Sequence, residues 1–132
     1  MGYRSQVVLG IAPEAAHAFM AMLASNPDAL DLCNQADDYL SGYEQEGDYL
    51  VHWSHIKWYT NYEDVGPIQA FVEALDADDL SEYGEGEAPD LKGRPATWHD
   101  YFRFIRIGED NDDIEELGHG FWDVGVVRQI NF

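Results

Sequence analysis

The chain has 132 residues and a formal net charge of −19, from 26 Asp and Glu against seven Lys and Arg, yet 45% of it is hydrophobic and 14% aromatic. That apolar content excludes a disordered acidic tail and suits a single domain, residues 1–132, with one core. The charge excludes direct binding to nucleic acid or an acidic membrane and favours a basic partner.

Self-repulsion among uncompensated carboxylates works against compaction, so added salt is expected to stabilise the fold. A lone cysteine, Cys33, leaves no internal disulfide and fits a reducing compartment. Met1 to Gln6 lacks a basic stretch followed by an apolar one, and no apolar run approaches the length of a membrane span. A cytoplasmic protein is expected.

Residues 3–11 read as a first strand, with Tyr3, Val7, Leu9 and Ile11 on one face. Pro13 suits a helix start, and Ala16, Phe19, Met20 and Leu23 recur at helical spacing through Ser25. Asn26-Pro27-Asp28 stops that helix, and residues 28–34 add a short helical turn. From Tyr39 the pattern is strand-like. Gly42 and Gly47 bracket a polar turn into a longer strand, Asp48 to Tyr59, with Leu50, Ile56 and Trp58 on one face and Tyr49, Val51, Trp53 and Tyr59 on the other.

Asp64 caps a second helix whose buried stripe is Ile68, Phe71, Val72 and Leu75. Residues 76–97 hold Gly84, Gly86, Pro89, Gly93 and Pro95 and read as a long, mobile loop. Tyr101 to Ile107 is the strongest strand, Gly108 to Gly120 an acidic connection, and Phe121 to Phe132 a closing strand. The expected fold class is α+β: an antiparallel sheet of about five strands with two helices on one face, split-βαβ-like, with an added C-terminal hairpin.

Three stretches carry a resemblance: Met1-Gly2-Tyr3-Arg4-Ser5-Gln6-Val7; Ile56-Lys57-Trp58-Tyr59 followed by Tyr62-Glu63-Asp64-Val65; and Phe104-Ile105-Arg106-Ile107-Gly108-Glu109-Asp110 running into Asp112-Asp113-Ile114-Glu115-Glu116. Together they resemble a family of small acidic proteins encoded by bacteriophages and prophages, the third stretch being the most specific. The resemblance implies a phage setting, in which the expected cytoplasm is that of the host cell. By analogy of lifestyle, accessory phage proteins of this size are frequently inhibitors of host defence or host machinery.

Half of the acids fall in two runs. Asp76, Asp78, Asp79, Glu82, Glu85, Glu87 and Asp90 form one; Glu109, Asp110, Asp112, Asp113, Glu115 and Glu116 form the other. They read either as solvated loops that keep the protein soluble or as a surface that occupies a basic, nucleic-acid-binding groove of a host protein. Mimicry of phosphates requires fixed charges, because ordering a floppy loop costs entropy on binding. That favours 109–116, which lies between strong strands. The expected partner-binding residues are those six with Asp76, Asp78 and Asp79.

A calcium loop at Asp110-Asn111-Asp112-Asp113 fails on spacing, with Ile114, Glu115 and Phe121 at the fifth, sixth and twelfth positions. His52 and His55 point to opposite faces of a strand, and no metal, cofactor or catalytic set is legible. A binding protein is expected rather than an enzyme. Arg103, Arg106 and Arg128 read either as neutralising nearby carboxylates or, with Trp53, Trp58 and Trp98, as a pocket for a small molecule or nucleotide. An exposed apolar face of the sheet would make a homodimer.

Overall fold

Five strands, Ser5–Ile11 (β1), Asp38–Ser41 (β2), Tyr49–Ile56 (β3), Phe102–Ile107 (β4) and Ile114–Leu117 (β5), form one antiparallel sheet in the order β2-β3-β1-β4-β5. The structure, a computed structural model, describes residues 3–110 and 112–120 and the backbone of two short strands, Gly125–Val126 (β6) and Ile130–Asn131 (β7). Helices Pro13–Ser25 (α1) and Pro27–Asn34 (α2) lead from β1 to β2, with β3 lying between those strands. Helix Val65–Asp76 (α3) leads from β3 to β4, with β1 between them. Two split βαβ units thus interleave, which is the ferredoxin-like arrangement with β5 added outside β4.

Local chemistry sets the helix boundaries. Proline lacks an N–H and has φ fixed near the helical value, so it suits a first helical position. Pro13 opens α1 in this way, and Pro27 opens α2. The expected short turn at 28–34 is therefore a complete second helix, and three helices cover the sheet instead of two. Asn26 between them donates from Nδ2 to Met22 O at 2.8 Å. Asp64 accepts from Val65 N at 2.8 Å and starts α3, whose Ile68, Phe71, Val72 and Leu75 are buried as expected.

Strand register separates the two faces of the sheet. Val7, Leu9 and Ile11 of β1 align with Trp53, Val51 and Tyr49 of β3 and with Arg106, Phe104 and Phe102 of β4. This face meets the helices. Phe19 of α1 packs on Tyr49 and on Phe71 of α3, and Trp53 Nε1 donates to Leu32 O of α2 at 3.0 Å. A register shift between Ser5 and Val7 ends regular alternation, and β3 stops at Ile56. Trp58, expected on the face opposite Trp53, instead packs against it at 5.3 Å and donates from Nε1 to buried Gln69 Oε1 at 2.8 Å.

The other face carries Val8, Leu50 and Ile105, each fully buried. Both edges of β1 are taken by β3 and β4, so the approach of β7 to β1 is across a face. The apolar centre of this face is buried within one chain. Among the described residues, the large apolar side chains left exposed on it are Leu40 and Ile114, on the outer strands β2 and β5.

Two further expectations change. The acidic connection 108–120 contains β5, the fifth strand of the sheet. The closing strand expected over Phe121 to Phe132 is two paired strands, β6 and β7, and the rest of it lies outside the described residues. The long loop 76–97 is anchored: Leu80 is in the core, Tyr83 packs edge-on against Phe71 at 5.0 Å, and Asp78 Oδ1 accepts from Trp98 N at 2.8 Å. Cys33 is fully buried, and burial pushes its thiol up to about 12, so it stays protonated and inert at neutral pH.

Candidate functional site

Antiparallel register decides which acids are neighbours. Gln6 pairs with Ile107 and Ser5 with Ile56, so the segments after β4 and after β3 leave from the end at which β1 begins, the lower end. Ile11 pairs with Phe102 and Tyr49, so the segment before β4 and the turn 42–48 lie at the upper end. A seven-residue strand spans about 20 Å. Asp76, Asp78 and Asp79, on the upper-end segment, therefore do not join Glu109, Asp110, Asp112, Asp113, Glu115 and Glu116 in one surface.

The lower acidic loop is clamped. Tyr3 OH donates to Asp113 Oδ2 at 2.6 Å and accepts from Asp110 N at 3.0 Å. Arg106 grips both oxygens of Asp113, at 2.8 and 3.1 Å, and its Nε lies 3.8 Å from Glu115. The loop closes on itself through Gly108 N to Asp113 O at 2.8 Å and Asp113 N to Asp110 O at 3.0 Å. Gly108 leaves room for the clamp, since a Cβ there would lie 2.1 Å from Asp113 Oδ2 and 2.2 Å from Tyr3 OH. Asp113, Glu115 and Glu116 are thus internally paired, the last with Arg103 at 3.0 Å, while Glu109, Asp110 and Asp112 face solvent.

The clamp runs on into a second feature of the same end. Tyr3 N donates to Tyr59 OH at 2.7 Å, and the Tyr59 ring meets Tyr62 edge-on at 5.2 Å. Tyr62, 40% exposed, lines an open groove of about 570 Å³ between α2 and the start of α3. Its walls carry Asp28, Asp31, Glu63 and Asp64, with Gln35 and Asn61. No acidic run in the sequence marks these four, because they are scattered over two helix starts, where Asp64 reads as a cap. The topology places them at the same end of the sheet as 109–112.

The arginines and tryptophans of the alternative pocket do not converge. Arg103 donates to Gly118 O at 2.9 Å and pairs with Glu116; Arg106 is held by Asp113; the register puts the two on opposite faces of β4. Trp53 and Trp58 are core residues with both indole N–H groups satisfied, and Trp98 is buried at the upper end. Arg128 lies outside the described residues. Arg103 and Arg106 neutralise carboxylates.

Among the described residues, no group of three or more His, Cys, Asp and Glu is arranged to hold a metal ion. His52 bridges strands, with Nδ1 2.8 Å from Asp38 Oδ2 and Nε2 3.1 Å from Gln6 Nε2. His17, His99 and His119 each lie near a carboxylate. No helix among the described residues is long and apolar enough to cross a membrane.

Asp113 is held well below the usual carboxylate range, at about 2, first by its hydrogen bonds from Arg106 and then by that from Tyr3. An unfolded aspartate titrates near ~3.9, so the clamp's contribution is complete above about pH 5 and is lost as pH falls through about 2. Solvent screening at a partly exposed carboxylate reduces it to about 1 kcal/mol. Asp113→Asn is expected to be less stable than the parent at neutral pH by that amount, with the gap closing on acidification. Denaturant titrations across pH measure this, and a gap that does not narrow would separate Asp113 from the effect.

The fold and this end define an acidic ferredoxin-like domain with carboxylates and tyrosines displayed on a fixed frame. Compared with known proteins, the chain matches no family model, no curated protein and no solved structure.

Proposed function

We propose that the chain is a phage-encoded inhibitor that acts in the host cytoplasm by stoichiometric occupancy, its acidic lower end covering the basic, nucleic-acid-binding surface of a host protein. The observation that carries this reading is the Tyr3–Asp113–Arg106 clamp. It holds Glu109, Asp110 and Asp112 on a short closed loop, so little entropy remains to be lost when a partner binds. The groove acids and Tyr62 extend the same end, and tyrosine beside carboxylates suits arginine and lysine through ion pairing and contact with the ring face. Arg4 and Lys57 are the only other described bases near this end, so its sign stays negative.

The test is capture of a basic protein from host lysate by the purified chain, followed by titration of the isolated pair. Binding is expected to weaken steeply as salt rises, and the chain should displace nucleic acid from the captured protein. Binding indifferent to salt, or a complex that leaves nucleic acid in place, would overturn the reading.

A further inference from the structure

The upper end carries a cavity of a different character. It has a volume of about 330 Å³ and lies between the start of α1, the turn 42–48, the 91–94 turn, and residues 100–101 and 119–120. Its walls carry charges of both signs, Glu14, Glu44 and Asp100 with Lys92 and Arg94, together with His119, 3.9 Å from Asp100, and Tyr101 as an aromatic surface.

The positive side is built by a tight turn. Leu91 N donates to Arg94 O at 2.9 Å and Arg94 N to Leu91 O at 3.1 Å, with Lys92 at φ 52° and Gly93 at φ 78°. Positive φ at two central residues matches a type I′ turn, and a lysine there is held in a backbone region that side-chain-bearing residues seldom adopt. Such outliers recur at ligand clamps. Arg103 and Arg106 are tied to carboxylates, whereas the Lys92 and Arg94 side chains have no ion-pair partner among the described residues. They remain available in a protein that has carboxylates in excess everywhere else.

The negative side is fixed by the fold. Asp100 Oδ2 accepts from Thr97 N at 3.1 Å, and Glu14 stands in the first turn of α1. The Tyr101 hydroxyl is pushed up by burial and then by the nearby charges of Glu14, Asp100 and Asp90, which marks a negative potential beside the ring. A simple anion in the cavity would meet these carboxylates, and a simple cation would meet Lys92 and Arg94.

We infer that this cavity binds a small zwitterion, a free α-amino acid, whose carboxylate is held by Lys92 and Arg94 and whose ammonium group faces Glu14 and Asp100. The volume is at the lower limit of small-molecule sites, which suits so small a ligand. The site is at the opposite end from the surface proposed for the host partner, so either assignment can fail alone.

The test titrates the full chain, followed by two-dimensional NMR, with each common amino acid and with acetate and ethylamine as single-charge controls. At least one amino acid is expected to shift the amide signals of Lys92, Gly93, Arg94 and Tyr101, with neither control doing so. Lys92→Gly combined with Arg94→Gln should weaken that binding at least about tenfold, the loss of one charge-assisted hydrogen bond. Glycine also suits the φ of position 92, so the variant should keep its fold, which the dispersion of the same spectra reports. Glu14→Gln, read in the same way, provides a second variant among the carboxylates. No shift with any amino acid, equal shifts with acetate, or unchanged affinity in both variants would overturn the assignment.

Discussion

Asp48→Ala is expected to be among the most destabilising single substitutions in this chain, costing about 3–5 kcal/mol, the size seen when a buried charge network is broken. The carboxylate is fully buried and accepts from three successive backbone N–H groups, Tyr43 at 2.8 Å, Glu44 at 2.9 Å and Gln45 at 3.0 Å. Successive N–H groups pointing into one concavity form an anion nest, and here the chain fills its own nest. The turn is closed further by Asp48 N to Gln45 O and by Gly42 N to Asp48 O, both at 3.3 Å. Removing the side chain leaves three donors without their acceptor, each unmet group costing about 1–3 kcal/mol before the turn relaxes or water reaches it.

Asp48→Asn provides the sharper comparison. Its shape is nearly unchanged, but one of the two acceptor oxygens becomes an NH₂; with the carbonyl oxygen kept on Glu44 and Gln45, that NH₂ meets Tyr43 N donor to donor, and the charge that strengthened all three bonds is lost. It is expected to lose at least half of what alanine loses, and urea denaturation of both variants measures this. A loss under about 1 kcal/mol for both would mean that the turn relaxes or that water substitutes for the carboxylate.

Punctuation residues made much of the fold legible in the sequence. Pro13 and Asn26-Pro27 bound α1 at the residues expected, and Asp64 marks the start of α3. What escaped has physical causes. Ile114-Glu115-Glu116-Leu117 looks like solvated connection because its two acids dominate it. It is a strand because Arg106 and Arg103 across the ladder neutralise those acids. Trp58 changed sides because the Ser5–Val7 irregularity and the end of β3 interrupt the two-residue period. The loop 76–97 is rich in glycine and acid, and nothing local in it announces that Leu80 will be in the core.

The candidate site was half legible. The position of 109–116 between two strong strands suggests fixed charges, and the loop is clamped. Its division into paired and outward carboxylates depends on contacts with Tyr3 and Arg106, distant in sequence. The separation of this run from Asp76, Asp78 and Asp79 follows from topology. One run follows a helix that returns to the upper end of the sheet, and the other follows a strand that descends from it.

That division shapes the remaining prediction, charge reversal at Glu109, Asp110 and Asp112 to lysine. These three face solvent, so the fold should lose little: surface substitutions away from special contacts usually stay within about 0.5 kcal/mol. Glu109 Oε1 does accept from Arg4 N at 3.0 Å, a contact lysine cannot make, but it is exposed and water can replace it. Net charge falls from −19 to −13 as three negative residues become positive. Relief of self-repulsion offsets part of any loss.

Binding to the proposed basic partner should respond very differently. Each reversal removes an attraction and adds a repulsion, and like charges brought together at an interface cost several kcal/mol. The triple variant is expected to bind at least about a hundredfold more weakly at low salt, a change of about 2.7 kcal/mol. The parent and variant should converge as salt screens both. Reversal at Asp113, in contrast, places a lysine against Arg106 and undoes the clamp, so it should lower stability and binding together. Calorimetry of the complex with thermal denaturation of each free variant separates the two cases. If the triple variant binds as tightly as the parent while remaining folded, the lower acidic loop takes no part in recognition, and the partner must read another surface.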